Sequence, residues 1–310
     1  MDQQGVFTGF NISYPTYTVV TPQTNRKLEV RCLNVSEVNK LKTSITTAVK
    51  IPEIINRVVF DSIKDKPEDL ATLKQFKKAI TSKDREALLY GIYQATFADT
   101  VEKLSVSCKE CKASDTHSLV LSNIFNIEPF PSELVETYEL SKAVATEDIG
   151  EDAELETISR IKKVEEKNKV SKKDSKLNIL NRREEIVLPK SNITVVLRSP
   201  TLEMEEESIT GKFALSKDLL ELISEIIVID SFKIYGENRE LVNSVSNRTD
   251  ILYGYQQLPL SDRQYLLDKY KELFSRYGIS LVENWTCKEC GEDNETEVDI
   301  FTHFFRMAIR

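Results

Sequence analysis

The tetrapeptide Cys-Lys-Glu-Cys occurs twice in this chain, and this repeat constrains the fold more than any other feature. The copies span Cys108–Cys111 and Cys287–Cys290, and each follows an Asp-Arg-x-x-Leu-Leu segment. Arg85 precedes its first cysteine by 23 positions, and Arg263 precedes its own by 24. We interpret the repeat as an internal duplication in which each unit ends in a pair of thiols.

The length of 310 residues leaves room for two domains. We predict a first unit over residues 1–140, a charged helical linker over 141–185 and a second unit over 186–310. Residues 147–176 are acidic at first and basic afterwards, an order that suits the dipole of a helix. Two interpretations of this segment stay open: a solvated helix or partly disordered linker, and a coiled-coil segment that binds a partner.

Both units show the same order of predicted elements. In the first unit, two β-rich segments, Tyr14–Val20 and Lys27–Leu33, come first. Helices follow, with the expected N-caps Ser36 and Ser82 in the first unit and Ser261 in the second. The second unit has a longer spacing, which we attribute to an insertion near residues 238–255. The fold class is therefore predicted to be α+β and helix-rich, with two duplicated domains. Each contains a small β-sheet, a helical layer and a zinc-ribbon-like CxxC hairpin.

The four paired cysteines are the candidate metal ligands: Cys108, Cys111, Cys287 and Cys290. A C-x2-C turn presents two thiolates to one ion, and a structural zinc site needs four ligands. Three interpretations stay open. The two turns share one zinc; each turn binds nothing, or forms a local disulfide on oxidation; or each turn finds another chain or a histidine, His117 or His303.

The residues around the two turns differ in one respect. Gly291 follows the second turn and allows a left-handed backbone, whereas Lys112 takes that place in the first. Cys32 lies in a predicted strand and is interpreted as a small buried residue. The phenylalanines of the C-terminal segment, Phe301, Phe304 and Phe305, are expected to belong to the core or to form a docking tail.

Composition argues against several classes of function. The net charge is −8 and the isoelectric point about 5.2, whereas a protein that binds nucleic-acid phosphates needs a basic face. The N-terminus lacks the pattern of a signal peptide, and no apolar run approaches the roughly 18 residues of a membrane span. Phosphate-binding glycine-rich loops and Gly-x-Ser-x-Gly are absent from the sequence. We therefore expect a cytosolic protein that is not an enzyme.

Taken in order, these features resemble the baseplate hub-associated proteins of T-even-type contractile-tailed bacteriophages. The first unit is similar through Asp84, Arg85, Cys108 and Cys111. The second is similar through Cys287, Cys290, Gly291, Phe304, Phe305 and Arg306. Members of that family have one such unit with a CxxC knuckle, whereas this chain has two. The tandem form implies an internal pseudo-dimer in place of two subunits.

The resemblance implies a structural or assembly protein of a contractile tail baseplate, either a hub subunit or a hub assembly chaperone. Its expected partners are other phage tail and baseplate proteins, without nucleic acid, membrane or small-molecule substrate. Its expected location is the virion tail baseplate, and the host cytoplasm during assembly. One structural zinc is the expected cofactor. Two alternatives are a zinc-ribbon adaptor of a nucleic-acid or transcription complex and a dithiol oxidoreductase.

Overall fold

A computed structural model describes residues 13–44, 51–97, 101–131, 179–210, 217–235, 238 and 240–299. In these residues eight α-helices accompany eleven β-strands, which form four small sheets. The predicted α+β class is therefore confirmed, while its helix-rich character stays a prediction. The charged segment 147–176 and the C-terminal phenylalanines lie outside the described residues. None of the described helices has the length and apolarity needed to cross a bilayer.

The first half begins with a β-hairpin, continues with helices and ends with a second hairpin. Its elements are β1 (Thr16–Val20), β2 (Lys27–Arg31), α1 (Val35–Ser44), α2 (Ile51–Ser62), α3 (Leu73–Ala79), α4 (Ser82–Phe97), β3 (Val101–Ser107), β4 (Ser114–Val120) and β5 (Phe125–Glu128). Strands β1 and β2 pair antiparallel, as do β3 and β4. The α4 helix packs against the first hairpin.

The described part of the second half follows the same order, also with four α-helices, and has two further strands between the second and the third helix. Its elements are β6 (Glu184–Val187), β7 (Thr194–Leu197), α5 (Leu202–Thr210), α6 (Lys217–Ile226), β8 (Ile229–Tyr235), β9 (Leu241–Val245), α7 (Arg248–Gln256), α8 (Leu260–Tyr270), β10 (Gly278–Thr286) and β11 (Asp293–Glu297). A sheet in the order β6-β7-β8-β9 forms, and β10 pairs with β11. Strand β9 and helix α7 lie where the sequence predicts an insertion.

Four hairpin turns close in the same way: those joining β1–β2, β3–β4, β6–β7 and β10–β11. In the first, Thr21 N–H donates to the Arg26 carbonyl and Asn25 N–H donates to the Thr21 carbonyl. The same two bonds recur in the other three, over 2.8–3.2 Å. The fifth turn residue is left-handed each time: Asn25 has φ 53°, Lys112 62°, Asn192 57° and Gly291 75°. Lys112 therefore adopts the conformation that glycine adopts in the second knuckle.

A buried aspartate at the start of a helix holds the first hairpin turn of each half. The Asp84 carboxylate, at the start of α4, accepts from Gln23 N–H over 2.8 Å. Asp262, at the start of α8, accepts from the N–H groups of Lys190 and Ser191 over 2.9 and 2.8 Å. Both carboxylates are fully buried. The Asp-Arg segments therefore fix the position of the helix relative to its hairpin.

The predicted N-caps are wrong by one or two residues. The Asn34 side chain, not Ser36, accepts the Glu37 N–H at the start of α1. The Thr81 hydroxyl, not Ser82, accepts the Asp84 N–H at the start of α4. The α8 helix follows Pro259 and already includes Ser261. At α4, the adjacent Thr81 and Ser82 both offer a hydroxyl acceptor, so the sequence alone does not rank them.

The two halves interlock. Strand β5 of the first half pairs antiparallel with β10 of the second, from Gly278↔Glu128 to Leu281↔Phe125. The core of the first half includes Leu202, Leu281 and Val298 from the second half, and the core of the second includes Phe130. A polar contact between the halves comes from Arg85, whose guanidinium donates to both carboxylate oxygens of Glu205. The two hairpins with cysteines are therefore held side by side by the rest of the fold.

Candidate metal centre

Four sulfur atoms converge where the β3–β4 turn meets the β10–β11 turn. The Sγ atoms of Cys108, Cys111, Cys287 and Cys290 all lie within 4.8 Å of one another. The two closest contacts join opposite hairpins: Cys108 to Cys290 and Cys111 to Cys287, each over 3.6 Å. Four sulfurs around a tetrahedral zinc, at Zn–S bonds of about 2.3 Å, would stand about 3.8 Å apart. The cluster therefore has the dimensions of a site that could bind one metal ion.

Backbone N–H groups of the turns point at the sulfurs; their effect prevails at Cys108, whereas the pKa values of Cys111 and Cys290 are raised. Hydrogen bonds from the N–H groups of Cys111 and Glu110 hold the pKa of Cys108 at about 6, well below its usual value. The Glu292 N–H acts in the same direction on Cys290, but neighbouring thiols and burial raise the pKa of that residue to about 12. Several thiolates so close together repel one another. A divalent cation is what would allow all four to ionise.

Polar side chains of each hairpin contact the turn of the opposite hairpin. Asn294 accepts a hydrogen bond from Lys109 N–H over 2.9 Å, and its amide points at the Cys108 sulfur at 3.6 Å. Asp115 pairs with the Lys288 ammonium over 2.7 Å. Asp115 and Asn294 each stand four residues after the second cysteine of their own turn. The contacts across the cluster are therefore reciprocal, as they would be around a twofold axis.

Apolar side chains cover one side of the cluster. Val106, Trp285 and the buried thiols Cys108 and Cys287 form one packed group. The Trp285 indole N–H donates to the Thr296 hydroxyl over 3.0 Å, which fixes the ring. Cys111 and Cys290 are exposed on the other side. The centre thus has a sheltered half, which excludes water, and an open half, through which an ion can enter.

The histidines do not belong to this cluster in the described residues. His117 Nδ1 lies 3.2 Å from a carboxylate oxygen of Glu283, and the ring meets Trp285 edge to face. His303 lies outside the described part of the chain. Cys32 is a free thiol of intermediate burial in the first half, outside the four-sulfur group. Of the three interpretations of the turns, the geometry favours the one in which they meet.

Sequence reasoning missed Asn294 and Asp115, the two side chains that cross between the hairpins. Their equal spacing from the second cysteine of each turn was a detectable pattern. It carried no meaning until the two turns were known to face each other. An asparagine or aspartate after a turn is otherwise an ordinary solvated residue.

Comparison with known proteins identifies a family for the chain. A family model described as "T4 bacteriophage base plate protein" matches residues 14–306, which include both hairpins and the segment between the halves. No curated protein and no solved structure matches the chain. The match covers nearly the whole sequence and includes both halves together. The chain belongs to the T4 bacteriophage base plate protein family.

Proposed function

We propose that this protein is a structural subunit of the hub of a contractile tail baseplate, or an assembly factor for that hub, and that one zinc ion joins its two halves. Its partners would be other tail and baseplate proteins, bound through protein–protein contacts. One observation carries the proposal: four thiols from opposite halves converge at tetrahedral dimensions in a chain of the baseplate family. The family gives no support to the alternative of a transcription adaptor.

The donor set fits zinc better than other common ions. Four thiolates are soft ligands, which select zinc over magnesium or calcium. Cys108, Cys111, Cys287 and Cys290 would each supply one bond, and no ligand position would remain for substrate or water. When bound, zinc would supply a cross-link between the hairpins and no catalysis. Its binding free energy would then contribute directly to folding.

We also propose that the two halves are duplicated units, 1–140 and 186–310, joined by 141–185. Three repeated features support this: the four identical turns, the buried aspartates, and the polar residues that cross between the knuckles. Ile179 and strand β6 already pack with the second core, so the folded part of the second unit extends back at least to Ile179. The protein would then be a pseudo-dimer within one chain.

Single cysteine substitutions test the shared zinc. We expect Cys108→Ser and Cys287→Ser each to abolish zinc binding, because a site with three thiolates binds the ion much more weakly. Cys32→Ser is the matched control, since this thiol lies outside the cluster. Zinc per chain is measured by elemental analysis of protein that has passed through a desalting column. If each substitution in a knuckle removes only half of the metal, the sites are separate and the proposal fails.

The place of the protein in the particle needs a second experiment. Quantitative mass spectrometry on purified particles and on tail precursors counts its copies relative to other tail proteins. A fixed number of copies in both would identify a hub subunit, and copies in precursors alone would identify an assembly factor. Absence from both would contradict a role in the baseplate.

A further inference from the structure

We infer that the four cysteines are also a site of oxidation, at which two disulfides, Cys108–Cys290 and Cys111–Cys287, replace the metal as the link between the two halves. The inference rests on the proposed zinc site, but it concerns a different chemical state of the same sulfurs. The oxidant is a low-molecular-weight disulfide such as oxidised glutathione.

The distances select the crosswise pairs. Each of the two 3.6 Å contacts joins one hairpin to the other. A disulfide bond is about 2.0 Å long, so each pair has to close by about 1.6 Å. Rotation of the side chains supplies part of that movement, and the β5–β10 pairing keeps the hairpins adjacent.

The alternative pairing within one turn would disturb that turn. The Cys108 sulfur is the acceptor for the N–H groups of Cys111 and Glu110. The first turn is also closed by Lys112 N–H donating to the Cys108 carbonyl. A bond from Cys108 to Cys111 would draw two residues of this turn together and redirect the sulfur away from those donors. The crosswise bonds leave both turns with their backbone hydrogen bonds.

Access to solvent also suits the crosswise reaction. Each pair contains one exposed thiol, Cys290 or Cys111, and one buried thiol, Cys108 or Cys287. The exposed sulfur loses its proton to water, attacks the disulfide reagent, forms a mixed disulfide and expels one glutathione thiolate. The buried partner then attacks the protein sulfur of that mixed disulfide and expels the second glutathione. A buried thiol that the reagent cannot reach is thus oxidised by its neighbour.

The overall reaction is balanced in electrons and protons. Two molecules of oxidised glutathione take four electrons from the four thiolates and leave as four molecules of reduced glutathione, with four protons from water. The zinc ion is released as Zn²⁺. A particle that is assembled in a reducing cell and leaves it at lysis passes from one condition to the other. The two halves would then stay joined in the reducing cell, through zinc, and in oxidising surroundings, through disulfides.

Peptide mapping tests the pairing directly. Lys109, Lys112 and Lys288 lie between or beside the cysteines, so trypsin places all four on different peptides. The full chain is treated with a chelator and oxidised glutathione, alkylated, digested without reduction and analysed by mass spectrometry. We expect mainly the 108–290 and 111–287 peptide pairs. Mainly 108–111 and 287–290 pairs, mainly 108–287 and 111–290 pairs, or four thiols that stay reduced, would overturn the inference.

A single variant gives a second readout that does not depend on yield. In Cys290→Ser, the crosswise scheme leaves Cys108 free and still forms 111–287. The local scheme would instead form 108–111 and leave Cys287 free. The zinc content of the untreated protein is measured in parallel. Crosswise disulfides in a protein without zinc would support the pairing but refute the replacement of zinc, whereas local disulfides in a zinc protein would refute the pairing and leave the zinc site standing.

Discussion

Arg85 joins the two halves, and its removal is expected to destabilise the protein more than removal of its counterpart Arg263. The Arg85 guanidinium donates to Glu205 over 2.7 and 3.1 Å and to Asn56 over 3.0 Å. Its side chain is 8% exposed and that of Glu205 is 21% exposed. Removing one partner of a buried ion pair costs about 3–5 kcal/mol. Because Glu205 keeps some hydration, we expect a loss of about 3 kcal/mol for Arg85→Ala.

Arg263→Ala is the matched control, since Arg263 stands at the same place in the second half. It donates to both carboxylate oxygens of Glu225, yet its side chain is 36% exposed. An ion pair with that much solvent contact contributes about 1 kcal/mol or less. Urea unfolding of the zinc-saturated variants gives both free energies. A loss for Arg85→Ala equal to or below that for Arg263→Ala would refute the argument that the contact between the halves is the stronger one.

Three further predictions concern the turns, the aspartates and the metal. In urea unfolding, Gly291→Ala should lower the free energy of unfolding by about 1 kcal/mol, because φ is 75° and alanine is strained in that conformation. No atom lies near the added Cβ, so no steric clash adds to this strain. Lys112→Gly should raise the free energy of unfolding by up to about 0.5 kcal/mol, and a decrease would contradict the left-handed turn. Burial raises the pKa of Asp84 above its usual 3.8, despite hydrogen bonds that lower it. For Asp262, burial also raises the pKa, but the N–H groups of Lys190 and Ser191 bring it below 3.8. The free energy of unfolding of wild type should therefore exceed that of Asp262→Asn above pH 3.8, and this difference should disappear as pH falls below 3.8. For Asp84→Asn, the advantage of wild type should instead shrink as pH rises above 3.8. Unfolding measured at pH 3–7 checks both signs. Chelation under reducing conditions should lower the melting temperature of wild type and leave that of Cys108→Ser unchanged, and equal shifts would contradict a metal in the cluster.

Local patterns in the sequence predicted much of the fold. Signals within a few residues indicate the first hairpin, the helix that starts near Pro52 and the strands next to each knuckle. The duplication of the cysteine pair named all four residues of the site. The N-cap of α4 was wrong because Thr81 and Ser82 offer equivalent acceptors.

Other features depend on contacts between distant residues. The pairing of β5 with β10 joins Phe125 to Leu281, and neither segment alone indicates its partner. The approach of the two knuckles follows from that pairing. The conformation of Lys112 could not be predicted from its residue type, because glycine is the usual left-handed residue. The hydrogen bonds of the turn impose that conformation on lysine at a modest cost.

We propose that cysteines from both halves hold one metal ion. Elemental analysis of the intact protein, purified under reducing conditions without added zinc, distinguishes this shared site from the alternatives. We expect about one zinc per chain. Chains without metal, in which all four paired thiols react with a thiol reagent, would contradict it, and so would two zinc ions per chain.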